Sequence, residues 1–186
     1  MQFDAVKKTL NDGMNKAIES LKHQLTKIRT GRASANVLDG LTVDYYGVPS
    51  PLKQVAQVST PEARILQIQP FDKTMIAAIE KSILAANLGL TPSNDGNLIR
   101  VMFPALTEEK RKAQVKEIKK LGEDTKVAIR NIRRDQNEIV KKAEKGSEIS
   151  EDQSKKHQEE IQKITDNFIG QVDKLVEGKE KEVMTI

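Results

Sequence analysis

The sequence predicts an α+β protein: an elongated three-helix bundle into which a small β/α/β domain is inserted. Three observations point there. Three long stretches carry apolar residues at steps of three and four, the period of a helix. The segment between the first two loses that period and breaks into short alternating runs. Aromatics make up 3% of the 186 residues and charged residues 31%, a balance that suits long helices sharing a narrow core.

Phe3, Val6, Leu10, Met14, Ala17, Leu21, Leu25 and Ile28 step by three and four, giving a first helix that runs to about Arg29. Gly13 weakens it by about 1 kcal/mol relative to alanine, too little to break a helix that packs on others. Thr30-Gly31 supplies the stop. Leu41, Val43 and Tyr45 then alternate with polar residues, and Tyr46-Gly47-Val48-Pro49-Ser50-Pro51 supplies turn chemistry. Val55–Val58, Arg64–Gln69 and Leu98–Phe103 are further strand candidates. Asp72 is placed to cap a helix whose apolar positions Met75, Ile76, Ile79, Ile83 and Ala86 lead to Gly89 as its stop. Ser93-Asn94-Asp95-Gly96 is a turn before the last strand.

Thr107 followed by Glu108 and Glu109 puts a capping residue and two acids at the start of the middle helix, where the helix dipole favours negative charge. The middle helix runs to Lys145, with Gly146 as its end; its roughly 38 residues span about 57 Å at 1.5 Å each. Ser150 and Gln153 form a capping box for a third helix, whose stripe is Ile161, Ile164, Phe168, Val172, Leu175 and Val183.

Residues 1–30 and 106–186 therefore make a discontinuous bundle, and 31–105 the inserted domain. Arg29, Thr30, Gly31 and Arg32 on one crossing, and Pro104, Ala105 and Leu106 on the other, form a two-stranded hinge. Two crossings let a body swing while restraining its twist, and Gly31 adds backbone freedom. The three stripes can satisfy one another within one chain, so a monomer is expected.

The net charge of +4 conceals a strong partition. Residues 1–29 carry six Lys/Arg against three Asp/Glu, residues 30–105 six of each, residues 106–146 thirteen against eight, and residues 147–186 six against ten. The basic middle helix is offset by an acidic last one. On the middle helix Ile118, Leu121, Thr125, Ala128, Ile132, Ile139 and Ala143 form the apolar face. Lys112, Lys116, Lys119, Lys126, Arg130 and Arg133 recur at the same steps, rotated about half a turn from it. A rigid rail of spaced cations fits a polyphosphate backbone. A merely solvated helix face has the same composition.

Several classes are excluded. Without cysteine there is no disulfide or thiolate chemistry, and a reducing compartment is consistent. No apolar run approaches the roughly 20 residues that cross a bilayer. Met-Gln-Phe-Asp lacks an apolar leader, so a soluble cytoplasmic protein is expected. His23 falls off the first helix's stripe, and His157 is one turn before Ile161 on the third helix's stripe, a packing position. Neither has the i, i+4 partner of a metal site. Thr30-Gly31-Arg32 lacks the Lys-Ser/Thr of a phosphate loop. No catalytic, metal or cofactor site is expected, and no enzyme.

Five motifs, in order and at matching spacing, resemble the ribosome recycling factor family: Lys27-Ile28-Arg29-Thr30-Gly31-Arg32-Ala33-Ser34; Asp44-Tyr45-Tyr46-Gly47 with Pro49-Ser50-Pro51-Leu52; Leu106-Thr107-Glu108-Glu109-Lys110-Arg111-Lys112; Ala128-Ile129-Arg130-Asn131-Ile132-Arg133-Arg134-Asp135; and Ile149-Ser150-Glu151-Asp152. The likeness covers essentially the whole chain. It implies an L-shaped molecule, tRNA-like in outline, that binds the bacterial ribosome after the peptide is released. With elongation factor G and GTP, such proteins split the ribosome into subunits, so that messenger and deacylated tRNA leave. The GTP is hydrolysed by the elongation factor.

The family's functional arginines fall on Arg130, Arg133 and Arg134. Two of them lie on the basic stripe, and the planar guanidinium fork grips phosphate in a way lysine cannot. Arg130 and Arg133 are thus expected to dock on large-subunit rRNA, with Lys112, Lys116, Lys119 and Lys126 as further phosphate contacts. Arg134 is rotated off the stripe and expected to pair with an acid of a neighbouring helix. Arg29 and Arg32 have a mixed role at the elbow, touching RNA or holding the hinge. Of Tyr45 and Tyr46, one is expected in the core and one on the surface, with base stacking as the alternative. Two other functions stay open: an RNA-binding adaptor that splits nothing, and a coiled-coil module that recruits a protein helix. Six phosphate contacts give a log–log salt slope of about −4 to −5, which a coiled-coil module would lack.

Overall fold

A computed structural model describes residues 2–185. They form two compact units, one from the chain up to Arg29 together with Glu108–Thr185, the other from Thr30–Thr107.

Three helices make the first unit: α1 (Phe3–Lys27), α4 (Glu108–Lys145) and α5 (Glu151–Met184). The inner face of α1 is Val6, Leu10, Met14, Ile18, Leu21 and Leu25, so Ile18 takes the central place expected of Ala17, which is half-buried. Gly13 sits where α1 meets α4; a Cβ there would lie 3.4 Å from the Ile132 side chain. The α5 cap is the expected reciprocal one. Ser150 Oγ accepts from the Gln153 amide, and the Gln153 side chain accepts from the Ser150 amide. Between α4 and α5 the left-handed residue is Ser147 (φ 57°), and the Glu148 amide donates back to the Ala143 carbonyl.

The inner face of α4 is Ile118, Gly122, Thr125, Ile129, Gln136, Val140 and Ala143. The expected stripe is therefore corrected: Ile129, left off it, is fully buried at its middle, and its far end shifts. Ile139 is 44% exposed, Val140 is buried in its place, and Leu121, Ala128 and Ile132 are half-buried on the flanks. The steps from Thr125 to Ile132 to Ile139 are heptads, and a straight α-helix drifts about 20° per heptad. Residues seven apart thus walk off the core face. Gly122 and Gln136 stayed hidden because neither counts as apolar.

The second unit holds a four-stranded sheet of β3 (Ala56–Glu62), β4 (Ile65–Pro70), β6 (Ile99–Met102) and β5 (Thr91–Asn94), in that spatial order and antiparallel throughout. Alternation puts Leu66, Ile68, Ile99 and Val101 on one face, in a core shared with Ile79 and Ile83 of helix α3 (Ile76–Ala85). Asp72 caps a 3-10 turn, Lys73–Met75, that runs into α3. The Thr74 hydroxyl and amide, then the Tyr46 hydroxyl, hold its carboxyl below the ordinary value. The left-handed residue that closes α3 is Asn87 (φ 50°), two residues before the expected Gly89. Val55, expected to open a strand, instead closes a single helical turn, α2 (Leu52–Val55), and β3 starts at Ala56.

A separate hairpin pairs β1 (Thr42–Tyr45) with β2 (Val48–Pro51). Expected to be a turn throughout, Tyr46–Pro51 is instead a two-residue loop followed by a strand. Both loop residues have positive φ, Tyr46 at 49° and Gly47 at 84°, the backbone that matches strand twist in a tight hairpin. A tyrosine there costs about 1–2 kcal/mol. The Gly47 amide donating to Asp44 Oδ1 (2.6 Å) and the Tyr46 hydroxyl donating to Asp72 (3.0 Å) help offset it. Neither tyrosine is core: Tyr45 is 38% and Tyr46 73% exposed, with their rings edge to face.

Candidate nucleic-acid interface

The buried face of α4 fixes where its cations point. At 100° per residue, the centre of the basic stripe lies roughly 100° from the centre of the buried set. The rail is therefore a flank of α4, not its back. From Lys112 to Arg133 it runs about 32 Å along the axis.

A flank has an inner and an outer edge, and the six cations divide accordingly. On the inner edge, Lys126 Nζ is 2.6 Å from Asp173 Oδ1 on α5 and 3.2 Å from Glu123 Oε1 on its own helix. Its side chain is only 17% exposed. The hydrogen bond to Asp173 holds the ammonium above the ordinary lysine value, against desolvation that pushes it down, and Glu123 adds to the rise. Lys126 thus ties α4 to α5, which leaves it the least available of the six expected phosphate contacts. Also on the inner edge, Arg133 is half-buried and its Nη1 donates to Gln162 Oε1 on α5 at 3.0 Å.

On the outer edge, Lys116, Lys119 and Arg130 are exposed. Lys112 is exposed as well and pairs with Glu108 one turn away at 2.8 Å. Such a surface pair contributes only about 0.3–0.5 kcal/mol. Arg134 does not meet an acid of a neighbouring helix. It is exposed, and its Nη2 donates to Asn131 Oδ1 of α4 at 3.3 Å.

Of the expected hinge residues, Gly31 is buried with φ 81°, and a Cβ there would lie 3.4 Å from Leu106 Cγ and 3.6 Å from the Leu106 amide. Leu106 is half-buried, and Pro104 and Ala105 are exposed. Arg29 and Arg32 are exposed. Thr30 is half-buried, its hydroxyl accepting from the Arg32 amide. His157 is half-buried and stacks on Phe3 at 3.6 Å between ring centroids, a packing role. Among the described residues no cluster of His, Asp or Glu is arranged to hold a metal. No helix there is long and apolar enough to cross a membrane.

Sequence reasoning missed the α5 side of the site: Gln162, Asp166 and Asp173. Their signal is faint but present. Steps of four and seven place all three on one flank of α5, and only the bundle's pairing shows that this flank meets the rail.

Comparisons with known proteins agree on one family. Residues 21–184 match the model of the family described as ribosome recycling factor. The chain is 57% identical to the ribosome-recycling factor of Lachnoclostridium phytofermentans over 173 residues, covering 93% of this chain and 94% of that one. It is 53% identical to that of Staphylococcus aureus with the same coverage. A solution structure of the ribosome recycling factor matches with a TM-score of 0.77 at 39% identity, covering 100% and 99% of the two chains. The T. thermophilus ribosome recycling factor, in a structure with the E. coli elongation factor G bound to the E. coli post-termination complex, matches with a TM-score of 0.66 at 43% identity, covering 99% and 100%.

Proposed function

Because this chain belongs to the ribosome recycling factor family, we propose that it disassembles the post-termination ribosome. Acting with elongation factor G and GTP, it separates the subunits and frees messenger and deacylated tRNA. The chain itself performs no bond chemistry; GTP is hydrolysed by the elongation factor, and the work is mechanical. The observation that carries the reading is the full-length likeness to a factor placed with elongation factor G on a post-termination complex. The site of action is the bacterial cytoplasm, and the chain acts as a monomer.

In this reading the bundle docks on large-subunit rRNA through Arg130 and Arg133, with Lys112, Lys116 and Lys119 as simpler phosphate contacts and Lys126 as an internal clamp. Five contacts give a log–log salt slope of about −3.5 to −4.5. The segments Arg29–Arg32 and Pro104–Leu106 act as the hinge through which a push on the inserted unit becomes disruption of subunit contacts. A coiled-coil module loses support because the apolar faces of α1, α4 and α5 already share one core.

Light scattering from post-termination ribosomes mixed with this protein, elongation factor G and GTP tests the proposal. A fall that needs every component, and is blunted by Arg133→Ala, is expected. Salt-sensitive binding to the large subunit without any fall would leave only an RNA-binding adaptor.

A further inference from the structure

The two inner-edge cations are restrained by different chemistry, and the difference decides what each offers a partner. Lys126 meets carboxylates, which cancel its charge. Arg133 meets a carboxamide, which cannot. Gln162 Oε1 accepts from Arg133 Nη1 at 3.0 Å, and Gln162 Nε2 donates to Asp166 Oδ1 at 2.7 Å. The amide orientation is dictated by its partners. An ionised carboxylate only accepts, so the NH2 end must face Asp166 and the oxygen must face the guanidinium, which only donates. Asp166 thus sets the direction of Gln162, and Gln162 sets the direction of Arg133. One N–H of the guanidinium is used, leaving four for a ligand, and the positive charge stays whole because the acid stands one residue removed.

We propose that Gln162, oriented by Asp166, is a positioning residue that aims Arg133 at an RNA phosphate without neutralising it. The inference rests on the reading that Arg133 docks on rRNA. A long, freely rotating arginine must be ordered on binding, and holding it beforehand removes that cost. A glutamate in place of Gln162 would pair with Arg133 and occupy its charge, and having no N–H it would lose the anchor to Asp166. The relay separates order from charge, and that separation can be measured.

Binding of the full-length protein to purified ribosomal large subunits over a series of KCl concentrations provides the test. Gln162→Leu keeps the charge and loses the order: affinity should fall about two- to tenfold with an unchanged salt slope. Asp166→Asn lets the Gln162 amide turn over and should fall within the same range. Gln162→Glu sets a carboxylate on the guanidinium, so affinity should fall and the slope should shrink by up to about 0.7–0.9, at most one phosphate contact. In an Arg133→Ala background the charge-neutral Gln162→Leu should change affinity no further. Thermal melts should place all variants within a few degrees of the parent, since Gln162 and Asp166 are exposed. Parental affinity and slope for Gln162→Leu and Gln162→Glu would overturn the relay, as would a loss in Gln162→Leu that persists without Arg133. Parental binding by Arg133→Ala alone would overturn the relay and the rRNA anchor together, and is distinguishable from failure of the relay with the anchor intact.

Discussion

Lys126 and Arg130 stand one turn apart on the same helix flank, yet their surroundings give them different work. Arg130 points outward and is exposed. Lys126 is drawn between Asp173 and Glu123, and its raised pKa, caused first by the Asp173 hydrogen bond, makes it a stability element. A lysine whose folded pKa exceeds its unfolded value of 10.5 stabilises fully below that value, and the contribution fades as pH rises through the folded pKa. The gap in melting temperature between the parent and Lys126→Met should therefore be constant from pH 7 to about 10, then narrow at higher pH. A gap that closes nearer neutrality would refute the clamp. Large-subunit binding by Lys126→Met should keep the parental salt slope, because no phosphate contact is lost. The sequence placed both residues on one stripe correctly and could go no further, since the acid that separates their roles lies on α5, 47 residues away from Lys126.

At the scale of elements, what could be read and what could not divides along one line. Features written in neighbouring residues were legible: the α1 stripe, the Ser150–Gln153 capping box, the Asp72 cap, and the alternation that becomes β1, β4 and β6. Features that depend on a second element were not. The strands β2 and β5 are short and rich in Pro and Ser, and only pairing with β1 and β6 makes them strands. The α4 core face could be placed only once α1 and α5 were packed on it. Gly122 shows why. A Cβ at this position would lie 2.6 Å from Val176 Cγ2 on α5, closer than real carbons approach, so the glycine lets two long helices come together. In a free helix Gly122→Ala would gain about 1 kcal/mol of propensity. Against α5 it forces the branched Val176 to shift, and overpacking of this kind costs about 1–3 kcal/mol. Chemical denaturation should show a net loss of up to about 2 kcal/mol for Gly122→Ala. Adding Val176→Ala should return much of it, because the methyl that collides is gone. A stabilised single variant would mean that the helices do not approach this closely.

For the whole molecule, the distribution of charge separates a basic α4 from a charge-balanced inserted unit, and the proposed function makes that division testable. Every rail cation lies on α4, whereas residues 30–105 carry six Lys/Arg against six Asp/Glu and so offer a polyanion no net attraction. Affinity for the ribosome should then be set by the bundle, and any change confined to Thr30–Thr107 should act on subunit splitting, the step after binding. Gly31 allows that division to be tested with one residue. Its φ of 81° lies in the region where a side chain costs about 1–2 kcal/mol, and a Cβ there would press on Leu106. Gly31→Ala therefore biases the backbone at one expected crossing toward other conformations while leaving all six rail residues untouched. Large-subunit affinity should stay within about twofold of the parent, with the same salt slope, since no phosphate contact changes. Under the proposed lever, the rate of subunit splitting with elongation factor G and GTP should fall several-fold. Arg133→Ala should show the reverse pattern, with weakened binding and a splitting rate that recovers at saturating protein. If the two variants lose binding and splitting in the same proportion, anchoring and transmission are not separable functions of the two parts, and the lever account of this chain fails.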